Sequence, residues 1–110
     1  MRAGMWPREV SLLTESPINT AGTGDNILVA GVSVQTIRVH KIFFVCDTTT
    51  VISFKSGSTA LTGPITLTPG GSVVLDFDSA PWFTTFSGDG FVINQTGTAQ
   101  LSGRVYYQIS

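Results

Sequence analysis

Residues 99–110 read "AQLSGRVYYQIS", and the stretch alternates along almost its whole length. Leu101, Val105, Tyr107 and Ile109 fall on one side together with Gly103. Gln100, Ser102, Arg104, Tyr106 and Gln108 fall on the other. A period of two is the mark of a strand with one face in a core and the other toward solvent or a partner. The rest of the chain repeats this theme in shorter pieces. From Asn26 on, β-type runs and turn signals follow one another every 8–14 residues or so, about the spacing of a sandwich or barrel.

The runs are "NILVAG" (26–31), "VQTIRVHKIFFVC" (34–46), "TVISFKS" (50–56), "PITL" (64–67), "SVVLDF" (72–77), "PWFTTF" (81–86), "FVINQT" (91–96) and the final one. In the longest, Ile37 and Val39 share a phase, and the apolar phase then moves to Ile42, Phe44 and Cys46. A β-bulge near His40–Lys41 produces that slip; burial of residues 42–46 on both faces is the other way to read it. "TPGG" (68–71) is a strong turn, because Pro69 sets φ and the glycines permit positive φ. The expected fold is all-β, an antiparallel jelly-roll-like sandwich of about eight strands spanning residues 26–110. Residues 1–25 carry Gly4, Pro7, Pro17, Gly22 and Gly24 without a sustained period, and read as an extended N-terminal arm. On that reading, removal of residues 1–20 leaves the sandwich folded.

Composition agrees with β structure. The chain of 110 residues has 15 Thr, 11 Ser and 12 Gly, and only 12% of it is charged. The Lys, Glu, Arg and Ala that fill helix surfaces are scarce. The formal net charge is −1, and Arg2, Arg8, Arg38, Lys41, Lys55 and Arg104 are scattered. That excludes the basic stripe a nucleic-acid-binding surface needs. Low charge favours association, so a built-in protein partner is expected. The N-terminus lacks the continuous apolar core of a secretory signal, and no apolar run approaches a membrane span of about 20 residues. The chain is thus expected to be made in a cytoplasm, with no membrane partner.

Groups able to do chemistry are few. Cys46 is the single cysteine, so it forms no intrachain disulfide and no thiolate cluster; its place after "IFFV" suits a small buried hydrophobe. His40 is the single histidine, and no nucleophile elbow accompanies it. Asp76, Asp78 and Asp89 could make a carboxylate pair or a calcium site, but Asp78 before "SAP" and Asp89 in "SGDG" fit turn building better. Phosphate-binding glycine motifs and zinc motifs are absent. No enzyme and no cofactor are expected. Aromatic residues say more. Trp82, Phe83 and Phe86 cluster in a segment otherwise made of turns, and Trp6 stands in the arm. Large apolar side chains supply contact area at interface cores. The candidate interface residues are therefore Met5, Trp6, Val10, Leu12, Trp82, Phe83, Phe86 and Tyr106, with a core plug the competing role for Trp82 or Phe83.

"FKSGSTALTGPITLTPGGSVVLDF" (54–77) followed by "PWFTTFSGDGFVINQTGTAQLSGRVYY" (81–107) resembles small β-proteins encoded among the structural genes of tailed bacteriophages. The likeness covers about residues 34–108 and departs from the pattern at Ala80–Pro81. It implies a virion component with no active site. Such proteins often act as capsid cement or decoration proteins, frequently homotrimers on the capsid exterior that clamp neighbouring major capsid subunits. A tail, fibre or head-fibre module that binds host glycans is the alternative the resemblance leaves open.

Overall fold

The computed structural model describes residues 13–76 and 80–110. The strands are β1 (Thr14–Thr20), β2 (Gly24–Val29), β3 (Ile37–Cys46), β4 (Thr50–Ser56), β5 (Thr59–Ala60), β6 (Ile65–Leu67), β7 (Ser72–Asp76), β8 (Phe83–Thr84), β9 (Phe91–Gln95) and β10 (Leu101–Ile109). They form two antiparallel sheets. One has the order β1-β10-β3-β7, with β8 also on β3; the other has β2-β9-β4-β5, with β6 also on β4. Most successive strands change sheet, the jelly-roll arrangement of a sandwich. β5 and β8 are two residues each, which leaves eight principal strands among the described residues.

Each sheet turns one set of side chains inward. β4 is the plainest case: Thr50, Ile52, Phe54 and Ser56 are buried and the residues between are half-buried. Phe54 is central to the core. Its ring stacks on Phe91 at 5.7 Å, meets Phe44 edge-on at 6.3 Å and lies 4.9 Å from Phe83. Such aromatic pairs add about 0.5–1.5 kcal/mol each beyond area burial. Ile18, Ile37, Val39, Ile42, Ile52, Ile93, Leu101 and Val105 complete the apolar layer.

The phase slip in the longest strand is a bulge. Tyr106 pairs with Lys41 and Tyr107 with Val39, so His40 is the extra residue. Beyond it Ile42, Phe44 and Cys46 point inward while Phe43 and Val45 are exposed, so this stretch is buried on one face only. Gly70, at φ 78°, closes the turn before β7, where the Gly71 amide donates to the Thr68 carbonyl at 2.7 Å.

The expected boundary at residue 25 does not hold for the part described. β1 pairs with β10 from Thr14↔Tyr107 to Thr20↔Leu101, Ile18 is buried in the core, and residue 25 lies inside β2. Pro17 hid this strand in the sequence, and an edge strand is where proline is tolerated. Loss of residues 1–20 therefore removes a sheet strand, so that truncation is expected to damage the fold. Residues 1–12 of the expected arm lie outside the described residues.

Candidate functional site

The candidate chemical groups are held apart. His40 and Cys46 are six residues apart on β3, roughly 20 Å in an extended strand. His40 is 8% exposed at the bulge, and neither ring nitrogen has a hydrogen-bond partner among the described residues. Cys46 is buried, with Sγ 3.1 Å from the Thr68 carbonyl oxygen. Asp76 pairs with Lys41, whose Nζ is 3.4 Å from Oδ1. Asp89 sits in the turn after β8, where its Oδ2 accepts from the Ser56 hydroxyl at 2.9 Å. Asp78 lies outside the described residues. Among the described residues no group of three or more His, Cys, Asp or Glu side chains converges as a metal site would require.

A polar cluster lies on the outside of the β2-β9-β4 sheet. Lys55 Nζ contacts both Asp25 carboxylate oxygens at 2.9 and 3.0 Å, and Asn94 Nδ2 donates to Oδ1 at 2.7 Å. The Asn94 hydrogen bond, then the Lys55 one, holds the Asp25 carboxyl below its ordinary value of 3.8 against a small opposing effect of burial.

Two apolar surfaces stand out. The first is the outer face of the β1-β10-β3-β7 sheet. Phe43 and Val74 are direct cross-strand partners there, 45% and 68% exposed. They lie in a groove of about 410 Å³ whose walls include Leu13, Glu15, Lys41, Asp76 and Tyr106. The rim is charged: Arg104 Nη1 lies 2.6 Å from Glu15 Oε1, and the Lys41–Asp76 pair borders the other side. Exposed ion pairs of this kind contribute about 0–1 kcal/mol to stability, so they set surface character more than they hold the fold.

The second surface is one end of the sandwich. The β2–β3 loop meets the β8–β9 turn, with the Gly88 amide donating to the Gln35 carbonyl at 2.8 Å. Thr36 and Ser110 exchange backbone hydrogen bonds beside it. Val34 is 84% exposed with φ at 58°, a backbone region that a β-branched residue seldom enters. Phe86, 57% exposed, and Ile109 are presented at the same end.

Of the sequence candidates, Trp82 and Phe86 are exposed, while Phe83 packs into the aromatic core. Phe83 is thus the plug and Trp82 is not. The Trp82 amide donates to the Val39 carbonyl at 2.7 Å, so the residue runs beside β3. Tyr106 lines the groove. Met5, Trp6, Val10 and Leu12 lie outside the described residues. Phe43, Val74 and Val34 were missed. Strict alternation from Ile42 places Phe43 outside, which was the available signal for that residue. No protein-family model, curated protein or solved structure matches this chain.

Proposed function

We propose that this chain is a non-enzymatic structural protein of a tailed-bacteriophage virion, a cement or decoration protein bound to the capsid exterior, where it stabilises contacts between major capsid subunits. The observation that carries the reading is the apolar loop end. Val34, Phe86 and Ile109 are presented to solvent there on a rigid sandwich, and exposed apolar clusters of this kind mark protein–protein contact. Val34 holds a strained backbone as well, and strain that the surrounding fold sustains is a pointer to function. The resemblance of residues 34–108 to phage structural proteins supports the same assignment. A homotrimer is the assembly this reading favours, since repeated copies on a shell gain from joint attachment.

A second reading, a tail, fibre or head-fibre module that binds host-surface glycans, is favoured by Trp82, which is 47% exposed and offers a flat aromatic face for a sugar ring. The test is addition of the purified chain to phage heads that lack it, with bound protein counted after sedimentation and mass in solution taken by light scattering. Saturable binding to heads, lost in Val34→Asp and Phe86→Asp variants that stay folded, is the expected result. Absence of binding to heads together with a Trp82-dependent signal on a glycan array favours the second reading. Neither signal overturns both.

A further inference from the structure

The two sheets end in strands whose outer edges are blunted, with one exception among the described residues. β1 carries Pro17, which has no N–H to offer a further strand. β2 loses register between Ile27 and Val29, a bulge that disrupts pairing. β5, β6 and β8 are only two or three residues long. β7 has none of these devices. Ser72–Asp76 pair with β3 in unbroken register from Lys41↔Asp76 to Val45↔Ser72, without a proline or a basic residue, and among the described residues no strand lies on the other side. We propose that a second copy of this chain pairs its own β7 with this edge, antiparallel about a two-fold axis at Val74.

The backbone groups face the right way for this. The Cys46 amide donates to the Gly71 carbonyl and the Gly70 amide to the Cys46 carbonyl, so Cys46, and by alternation Phe44 and Ile42, direct their backbone groups at β7. Val73 and Leu75 are the residues opposite Phe44 and Ile42 and answer them. Ser72, Val74 and Asp76 therefore turn N–H and C=O to the open edge. An axis at Val74 sets Val74 against its counterpart, Ser72 against Asp76 and Val73 against Leu75. That register engages the whole strand, with both bonds exchanged at each outward-facing pair. The side chains agree with it. Val74, 68% exposed, meets its counterpart on the outer face, and the Phe43–Val74 row runs on into the second copy. Val73 and Leu75, half-buried at the sheet margin, cover each other on the inner face. Asp76, already held by Lys41, falls opposite a serine. The two Asp76 residues stand four strand positions apart, roughly 14 Å and beyond the Debye length of about 8 Å. An axis at Val73 or Leu75 would oppose Val74 to a polar side chain instead.

A strand of five residues makes a contact smaller than the about 1,200 Å² of a standard interface, so the pair is expected to form in the micromolar range and to part on dilution. The experiment takes the full chain through a wide dilution series, with mass read by light scattering and amide hydrogen exchange by nuclear magnetic resonance. The expected result is mass that rises with concentration, while the Ser72, Val74 and Asp76 amides exchange several-fold more slowly over the same range. Val74→Lys lies at an exposed position whose backbone groups β3 does not use, and it sets like charges against each other across the axis. It is expected to weaken association at least about tenfold, with circular dichroism and melting at the parent's values. Val74→Glu is expected to do the same, and the two variants mixed in equal amounts to associate again. Mass that stays monomeric throughout overturns the proposal; the three amides protected at every concentration would then give the edge to another segment of the same chain. An oligomer whose mass ignores Val74→Lys overturns it too, and gives assembly to another surface. So does a mixture of the two charged variants that stays apart. None of these readouts involves phage heads or the loop end, so the edge contact and the virion role stand or fall separately.

Discussion

Gln95→Leu replaces a buried amide with an apolar side chain of similar length where the β9–β10 connection needs polar partners. Gln95 is 1% exposed. Its Oε1 accepts from the Thr50 hydroxyl at 2.8 Å and from the Ala99 amide at 3.2 Å, and its Nε2 donates to the Ala99 carbonyl at 3.0 Å and to the Gly22 carbonyl at 3.1 Å. The leucine takes a partner from four protein groups: the Gly22 carbonyl, which is exposed and keeps the Asn26 amide, and three buried ones, the Thr50 hydroxyl and both backbone groups of Ala99. Each buried unsatisfied group costs about 1–3 kcal/mol. Burial of the leucine returns about 1.5–3 kcal/mol. The middle of these ranges, about 6 kcal/mol lost against about 2 returned, gives an expected net loss of about 4 kcal/mol, a large part of the ~5–15 kcal/mol a domain has. Urea unfolding followed by far-ultraviolet circular dichroism measures it through the midpoint at constant slope. Thr50→Val made in the Gln95→Leu background is expected to cost about 1 kcal/mol less than in the parent, since the two side chains share a bond. A loss below about 1 kcal/mol for Gln95→Leu, with the slope unchanged, refutes the reasoning, because the orphaned groups would then have found water or other partners.

Val34→Gly is expected to raise stability by about 0.5–1 kcal/mol, because glycine enters the left-handed region freely and Val34 has little burial to lose; the melting temperature reads it, and a fall refutes the strain. Gly103→Ala is expected to cost at least the upper end of the ~1–3 kcal/mol seen for overpacking, since its Cβ would lie 1.9 Å from the Phe43 carbonyl oxygen between two central strands. Soluble yield and urea midpoint both report that loss. Asp25 has a depressed folded pKa, so its contribution is present above the unfolded value and is lost as pH falls through the folded one. Asp25→Asn is accordingly expected to be the less stable protein above about pH 4 and to converge with the parent as pH falls below the folded value, in melts run across the acid range.

The final strand, β4 and the turn at "TPGG" were legible because period two and turn chemistry act locally. The bulge at His40 was legible for a related reason: one inserted residue shifts every later side chain to the opposite face, and the apolar letters record the shift. β1 was not legible. Its proline, Pro17, and its mixed letters describe an edge strand whose pairing partner lies some ninety residues on, and single-sequence periodicity carries no information on that pairing. Strand order was hidden for the same reason. At the candidate surfaces, Phe83 and Trp82 are adjacent and chemically alike, so only the strand phase set by pairing with Val39 separates the one in the core from the one in solvent. Val34 was invisible because nothing in a valine announces a positive φ.

The position of β10 between β1 and β3 has a consequence for synthesis. The first sheet is assembled around β10, so any chain that ends before Leu101 presents two open strand edges, one on β1 and one on β3. Unpaired edges invite pairing with other chains. Completion of the sheet therefore waits for contacts between segments far apart in the chain, which are slow to form. Termination or stalling before Leu101 would yield a sticky product, which makes faithful synthesis of β10 a condition for solubility as well as for shape.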